Sequence, residues 1–173
     1  MKKLIIALTA IVITASAYAQ GTVQFNNRIV GTVDALVKDS TGAGVSAGFT
    51  AQLYASATAS GTLVAVPGTT TFRTGAAAGY VNAIDVAIPG IAGGAQATIV
   101  MRAFNGATYE TSTIRGSSAP ITIALGGGGS PPAPAAALAN MVGFTVAGTV
   151  IPEPSTIALG TLGLAMLLIR RRK

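Results

Sequence analysis

Apolar and polar residues alternate along the interior of this chain with a period of two, and no internal stretch carries the 3.6-residue period of a long amphipathic helix. In AQATIVMRAF, Ala97, Ile99, Met101 and Ala103 fall on one side and Thr98, Val100, Arg102 and Phe104 on the other. GFTAQLYA sets Phe49, Ala51 and Leu53 against Thr50, Gln52 and Tyr54, and YVNAIDVAI sets Val81, Ala83, Asp85 and Ala87 against Asn82, Ile84, Val86 and Ile88. TVQFN pairs Val23 with Phe25, IVGTVDALV alternates less cleanly around Gly31, Val33, Ala35 and Val37, and PITIAL and MVGFTVAG complete the series. Successive strand side chains point to opposite faces, so such a pattern buries one face of a sheet. Turn material separates the runs at Asp39-Ser40-Thr41-Gly42, Pro67-Gly68, Gly75 to Gly79, Pro89-Gly90, Gly93-Gly94 and Asn105-Gly106. Short strands at this spacing predict an all-β domain, an antiparallel β-sandwich, over residues 20–150. Asn105-Gly106 is the strongest hairpin signal, because both residues tolerate positive φ.

The two ends differ from this middle. MKKLIIALTAIVITASAYAQ opens with Lys2 and Lys3, continues with ten apolar-rich residues from Leu4 to Ile13, and puts small residues at Ala17 and Ala19. That is the layout of a secretory signal over residues 1–19, cleaved after Ala19 so that the mature chain starts at Gln20. The apolar run is about half the ~20 residues a membrane-spanning helix needs. At the other end, residues 155–169 (STIALGTLGLAMLLI) carry no charge and would form a helix about 22 Å long at ~1.5 Å per residue, against a hydrocarbon core of about 30 Å. Pro152 and Pro154 prevent the helix from extending upstream, and Arg170, Arg171, Arg172 and Lys173 hold the far end on the cytoplasmic side. With Lys2 and Lys3 inside as well, the middle of the chain lies outside.

Pro152-Glu153-Pro154-Ser155, a short Gly-containing apolar helix and a basic cluster, in that order over 151–173, resemble the PEP-CTERM sorting signal of Gram-negative bacteria. The resemblance implies an exported protein held briefly in the inner membrane by a transient transmembrane helix. It implies two processing partners, signal peptidase and an exosortase, the membrane transpeptidase that cleaves such tails. Delivery to the cell surface or the extracellular polysaccharide follows from the same resemblance, with exopolysaccharide as a further partner; the alternative is a plain C-terminal anchor on a periplasmic domain. Two prolines around a carboxylate favour an extended backbone at the membrane surface, and a protease needs exposed peptide bonds.

VDALVKDSTGAGVSAGFTAQLYA and FRTGAAAGYV are similar to prealbumin-like modules of exported bacterial proteins, in which a D-x-x-G turn precedes one strand and a G-Y pair begins a later one. That likeness implies an Ig-like or prealbumin-like sandwich. GGGGSPPAPAAALAN, residues 126–140, reads as a Gly/Pro-rich linker or a long loop, and a last strand over MVGFTV follows if Val142, Phe144 and Val146 alternate inward.

The chain has no His and no Cys, which removes disulfides, thiolate metal sites, Ser-His-Asp and Cys-His catalysis. Its formal charge of +6 sits mostly at the ends: between Gln20 and Ile151 there are five basic residues (Arg28, Lys38, Arg73, Arg102, Arg115) against four acidic ones (Asp34, Asp39, Asp85, Glu110). Single scattered cations do not make a nucleic-acid footprint. Asp39 belongs to a turn, where its side chain satisfies backbone N–H groups, and the other three carboxylates read as solvated face residues rather than a glycosidase pair or a calcium site. Tyr54 and Tyr80 read as half-buried sheet residues before they read as a sugar platform. No enzyme, cofactor or metal is expected, and a structural or adhesive exported protein is, with a polysaccharide-binding module as the alternative.

Overall fold

The computed structural model describes residues 20–148. The signal expected over 1–19, the 155–169 helix and the basic tail lie outside the described residues, among which no helix is long and apolar enough to cross a membrane. The strands are β1 (Gln20–Phe25), β2 (Arg28–Ile29), β3 (Val33–Asp34), β4 (Thr50–Ser56), β5 (Val64–Thr71), β6 (Ile84–Ala92), β7 (Gln96–Phe104), β8 (Ile114–Ser117), β9 (Ile121–Ala124), β10 (Ala136–Ala137) and β11 (Ala147–Gly148). A six-stranded sheet runs β11-β8-β7-β4-β5, with β9 following β8 along the same side of β7. A three-stranded sheet runs β10-β1-β6, and β2 and β3 form a small separate hairpin. The fold is all-β, as the alternation predicts.

One core joins the two sheets, an arrangement consistent with a β-sandwich. β4 and β7 contribute Ala51, Leu53, Ala97, Ile99, Met101 and Ala103; β1 and β6 contribute Val23, Phe25, Val86 and Ile88. These are the inward residues of the alternating runs, and a large apolar side chain fully buried in this way contributes about 1.5–3 kcal/mol. Without a disulfide, this burial and the sheet ladders hold the domain together.

Two expected turns are bulges. Gln52 of β4 pairs with Thr69, but Tyr54 pairs with Ala65, so Pro67-Gly68 sits in two extra residues of β5. Likewise Gln20 pairs with Ala92 and Gly21 with Ile88, which loops out Pro89-Gly90 from β6. β5 and β6 are edge strands, where a proline sacrifices no ladder bond, and Gly68 (φ +99°) and Gly90 (φ +75°) supply the backbone that a bulge requires. Bulged edges are poor templates for another chain's strand.

Asn105-Gly106 does not make a tight hairpin. β7 and β8 do pair, Phe104 with Arg115, but residues 105–113 form a long connection and neither Asn105 nor Gly106 takes positive φ. The Asn105 side chain instead accepts from the Ile114 N–H (3.1 Å), and the Gly106 N–H donates to Ser112 Oγ (2.8 Å). Tyr109 packs edge-on against Phe104, 6.2 Å between centroids, and covering that ring outweighs a two-residue turn.

Residues 126–140 pack as part of the smaller sheet's edge. Thr22 and Gly126 exchange backbone hydrogen bonds (3.1 and 3.0 Å), β10 pairs in parallel with β1, and Leu138 is fully buried. The chain then returns as expected, although as an irregular crossing: Lys38 N–H donates to Phe144 O (3.0 Å), Val146 N–H donates to Lys38 O (2.8 Å), and β11 closes on β8. Val146 is buried but Val142 is 68% exposed, because this segment crosses from β3 to β8 and does not follow one sheet face.

Just past β1, buried Asn27 ties its own segment to two others. Its amide donates to Ala35 O (2.8 Å) and Gly79 O (2.9 Å), and its carbonyl accepts from the Val81 N–H (2.8 Å). Gly79 holds φ +88°, and a Cβ there would stand 2.7 Å from Val37 O. Asn27→Ala leaves the buried Ala35 carbonyl and Val81 N–H without partners, while Gly79 O keeps the Val37 N–H (3.1 Å), and at about 1 kcal/mol or more each the expected loss is about 2 kcal/mol in urea unfolding. A loss below about 1 kcal/mol would contradict this role for Asn27.

Candidate functional surface

The strand registers divide the domain into two ends of opposite character. Phe25 faces Ile84, Thr50 faces both Thr71 and Phe104, and β8 begins at Ile114. The connections at this end are residues 26–49, 72–83, 105–113 and 138–146. All nine charged side chains of residues 20–148 lie in these connections or within two residues of a strand end here. The opposite end comprises Gln20 and the connections 57–63, 93–95 and 125–135, built from Ala, Gly, Ser, Thr, Pro and Leu with no ionisable side chain. The described chain leaves from the charged end, since Gly148 of β11 stands opposite Ile114.

The most elaborate cluster of the charged end lies on the outer face of the larger sheet. The Arg102 guanidinium sits 3.9 Å from the Tyr54 ring centroid and 4.5 Å from that of Tyr109, and the two rings meet edge-on at 6.3 Å. Glu110 accepts from Tyr54 OH (3.4 Å) and pairs with Arg102 (3.5 Å), while the Arg102 Nε is buried without a hydrogen-bond partner among the described residues. Arg115 donates to the carbonyls of Tyr109 (2.7 Å) and Glu110 (2.8 Å). Burial pushes the Tyr54 hydroxyl above its ordinary pKa; the Arg102 hydrogen bond opposes that and the Glu110 charge adds to it. Such stacking fixes residues 105–113 against the sheet.

A second cluster surrounds Tyr80. Its hydroxyl donates to Asp34 (2.6 Å), its ring lies 4.6 Å from the Arg28 guanidinium, and the Asp34 hydrogen bond, with burial behind it, raises its pKa. Asp34, Lys38, Tyr80, Val142 and Phe144 line a hollow of about 390 Å³. Nearby, Asp39 fills the turn role its sequence predicts: Oδ1 accepts from Thr41 Oγ1 (2.6 Å), Thr41 N–H (2.8 Å) and Ala43 N–H (3.1 Å), and the Thr41 hydroxyl leads in lowering its pKa.

Of the residues singled out for processing, Gln20 opens β1 and is exposed, whereas Ala17, Ala19, Pro152, Glu153, Pro154, Ser155, Arg170, Arg171, Arg172 and Lys173 lie outside the described residues. Asp34, Asp39 and Glu110 each have a separate hydrogen-bond partner, Asp85 stands exposed on β6, and no three acidic groups gather among the described residues. Tyr54 and Tyr80 are 6% and 9% exposed, too covered for a sugar platform. The Arg102–Tyr109 stack was not visible in the sequence, because only the long β7–β8 connection brings Tyr109 back over the sheet.

Residues 150–173 match the family model of the PEP-CTERM protein-sorting motif. The chain therefore carries the sorting signal that its Pro-Glu-Pro-Ser, apolar run and basic cluster resemble, and that signal implies export and sorting by an exosortase. No curated protein and no solved structure matches the chain.

Tyr54 and Tyr80 keep their protons in the folded state beyond the ordinary tyrosine value of about 10, so their contribution to stability is complete below that value and is lost as pH rises through the raised folded values. Tyrosinate absorbance should show a late-titrating fraction that shrinks in Tyr54→Phe and in Tyr80→Phe. A variant that loses its amplitude from the fraction titrating near 10, with the late fraction unchanged, would rule out the raised value at that position.

Proposed function

We propose that this chain is an exported, non-enzymatic surface or extracellular-matrix protein with a structural or adhesive role in exopolysaccharide. The observation that carries the proposal is the match of residues 150–173 to the PEP-CTERM sorting motif. Signal peptidase cleaves after Ala19 and leaves Gln20, the first residue of β1, at the new terminus. The 155–169 helix, stopped by Arg170 to Lys173, holds the chain in the inner membrane until an exosortase cuts at Pro152 to Ser155. Both cuts fall outside the described strands, so processing leaves the sheets whole.

The domain itself, in this reading an Ig-like or prealbumin-like sandwich, is inert and presents surface. With neither His nor Cys in the chain and Asp34, Asp39 and Glu110 each engaged by a neighbour, the absence of catalysis is the reading these residues favour. Its charge-free end, remote from the exit toward the tail, offers hydroxyls and methyl groups to neighbouring polymer chains. A polysaccharide-binding module is the second reading, favoured by a hollow of about 300 Å³ on the outer face in which Ser60, Thr98, Ser117 and Ser118 surround one side of Arg102. Titration of the purified domain with matrix glycans separates the two.

The double variant Pro152→Ala, Pro154→Ala removes the extended stretch that the exosortase needs. Fractionation of the native host should then find the variant in the inner membrane and the parent protein in the surface and polysaccharide fractions. Equal distribution of the two would contradict the sorting step, and a parent protein that stays in the inner membrane would leave a plain periplasmic anchor.

A further inference from the structure

We infer that, while the tail is still in the membrane, the charged end of the domain rests on the phospholipid surface, with the β2–β3 hairpin tip and Val142 touching the headgroup region. This inference rests on the reading that residues 155–169 enter the bilayer. Four observations support it.

The first is reach. From Gly148 to Ser155 the chain has seven residue steps, which extend to at most about 25 Å. That is shorter than the diameter of a compact domain of this size, about 36 Å, and the headgroup layer takes up part of it. The domain therefore stays near the bilayer and turns toward it the end from which the chain leaves.

The second is where the exposed apolar residues lie. Val30, at the β2–β3 tip, is 94% exposed and Val142 is 68% exposed, and both belong to the connections of this end, where Val142 bridges to Asp34 of β3. Ile114, partly exposed, stands opposite Gly148 on the same end. A large apolar residue at a loop tip that nothing covers is a poor choice for water and a good one for a lipid boundary.

The third is charge. Arg28, Lys38, Arg73 and Arg115 have no ion-pair partner among the described residues, where the ion pair present is Arg102–Glu110. Of the carboxylates at this end, Glu110 pairs with Arg102, Asp34 and Asp39 keep their charge while they accept from Tyr80 and from the 39–43 turn, and Asp85 stands on β6, so five cations outnumber four anions by one. Cations with long apolar stems beside exposed valines suit phosphate headgroups over a hydrocarbon boundary.

The fourth is contrast. The opposite end has no ionisable side chain, and among the described residues its one large exposed apolar residue is Val64. Among the described residues, cations and exposed apolar tips occur together at the charged end alone.

The chain has no native cysteine, so single probes can be placed in the full chain. Val30→Cys, Val142→Cys, Ser60→Cys and Leu164→Cys, each carrying a fluorophore, are reconstituted into phosphatidylethanolamine–phosphatidylglycerol vesicles that contain a headgroup-nitroxide lipid or, for the label at 164, a lipid with the nitroxide deep in its acyl chain. The labels at positions 30 and 142 should lose most of their emission and the label at 60 should keep it. A quenched label at 164 with unquenched labels at 30 and 142 overturns the surface contact alone. An unquenched label at 164 overturns the tail reading and the contact with it. Tethering without contact is tested by adding Val30→Asp and Lys38→Glu, both at exposed positions, to the Val142→Cys chain: the 142 label should then regain emission toward the level of the label at 60, and unchanged quenching overturns the proposal.

Discussion

The hydrogen bonds of Asn27 are the constraint on which the charged end depends. Three irregular segments, residues 35–37, 45 and 79–81, come together in the connections of the charged end, outside the named strands that would satisfy their backbone groups. Asn27 has the donors and the acceptor to close that gap, and Gly79 has the φ and the missing Cβ to let Val37 and Val45 approach it. Once that junction forms, Tyr80 is placed to hold Asp34, the 34–38 segment is placed to receive the returning chain at Phe144 and Val146, and β11 is carried to its place beside β8. The path by which the domain passes to its sorting tail is set by one buried amide.

Much of this architecture was legible from residue alternation. The runs that became β1, β4, β7 and β9 put their apolar residues inward as period two requires, and Asp39 capped its own turn. Errors fell where backbone chemistry has two uses. Pro-Gly pairs end strands in most contexts, but on an edge strand they make bulges, and nothing local distinguishes Pro67-Gly68 in β5 or Pro89-Gly90 in β6 from a turn. Asn105-Gly106 lost its hairpin to a tertiary contact, the cover that Tyr109 gives Phe104. Residues 126–140 have a linker's composition yet pair with β1, because Gly126 can approach Thr22 and Leu138 has a core to enter.

The functional signal was legible in a different way. The sorting motif is linear and needs no fold, so Pro152 to Lys173 could be read directly and the match at residues 150–173 agrees with that reading. The division of the domain into a charged and an uncharged end was hidden, because it depends on which connections share an end. Residues 28, 38, 73 and 110 are far apart in the chain and come to the same end only through the strand registers. This polarity gives the domain a direction: the end that the tail leaves carries charge and exposed valines, and the end that faces away is neutral and rich in small residues.

The central claim, that this domain is an exported cargo trimmed at both ends, is tested most directly by intact mass of the protein recovered from the membrane, surface and medium of its native host. The account predicts a surface or medium species that begins at Gln20 and ends within Pro152 to Ser155, with any added mass identifying the new attachment. A species that keeps Arg170 to Lys173 and is found only in the inner membrane would contradict it.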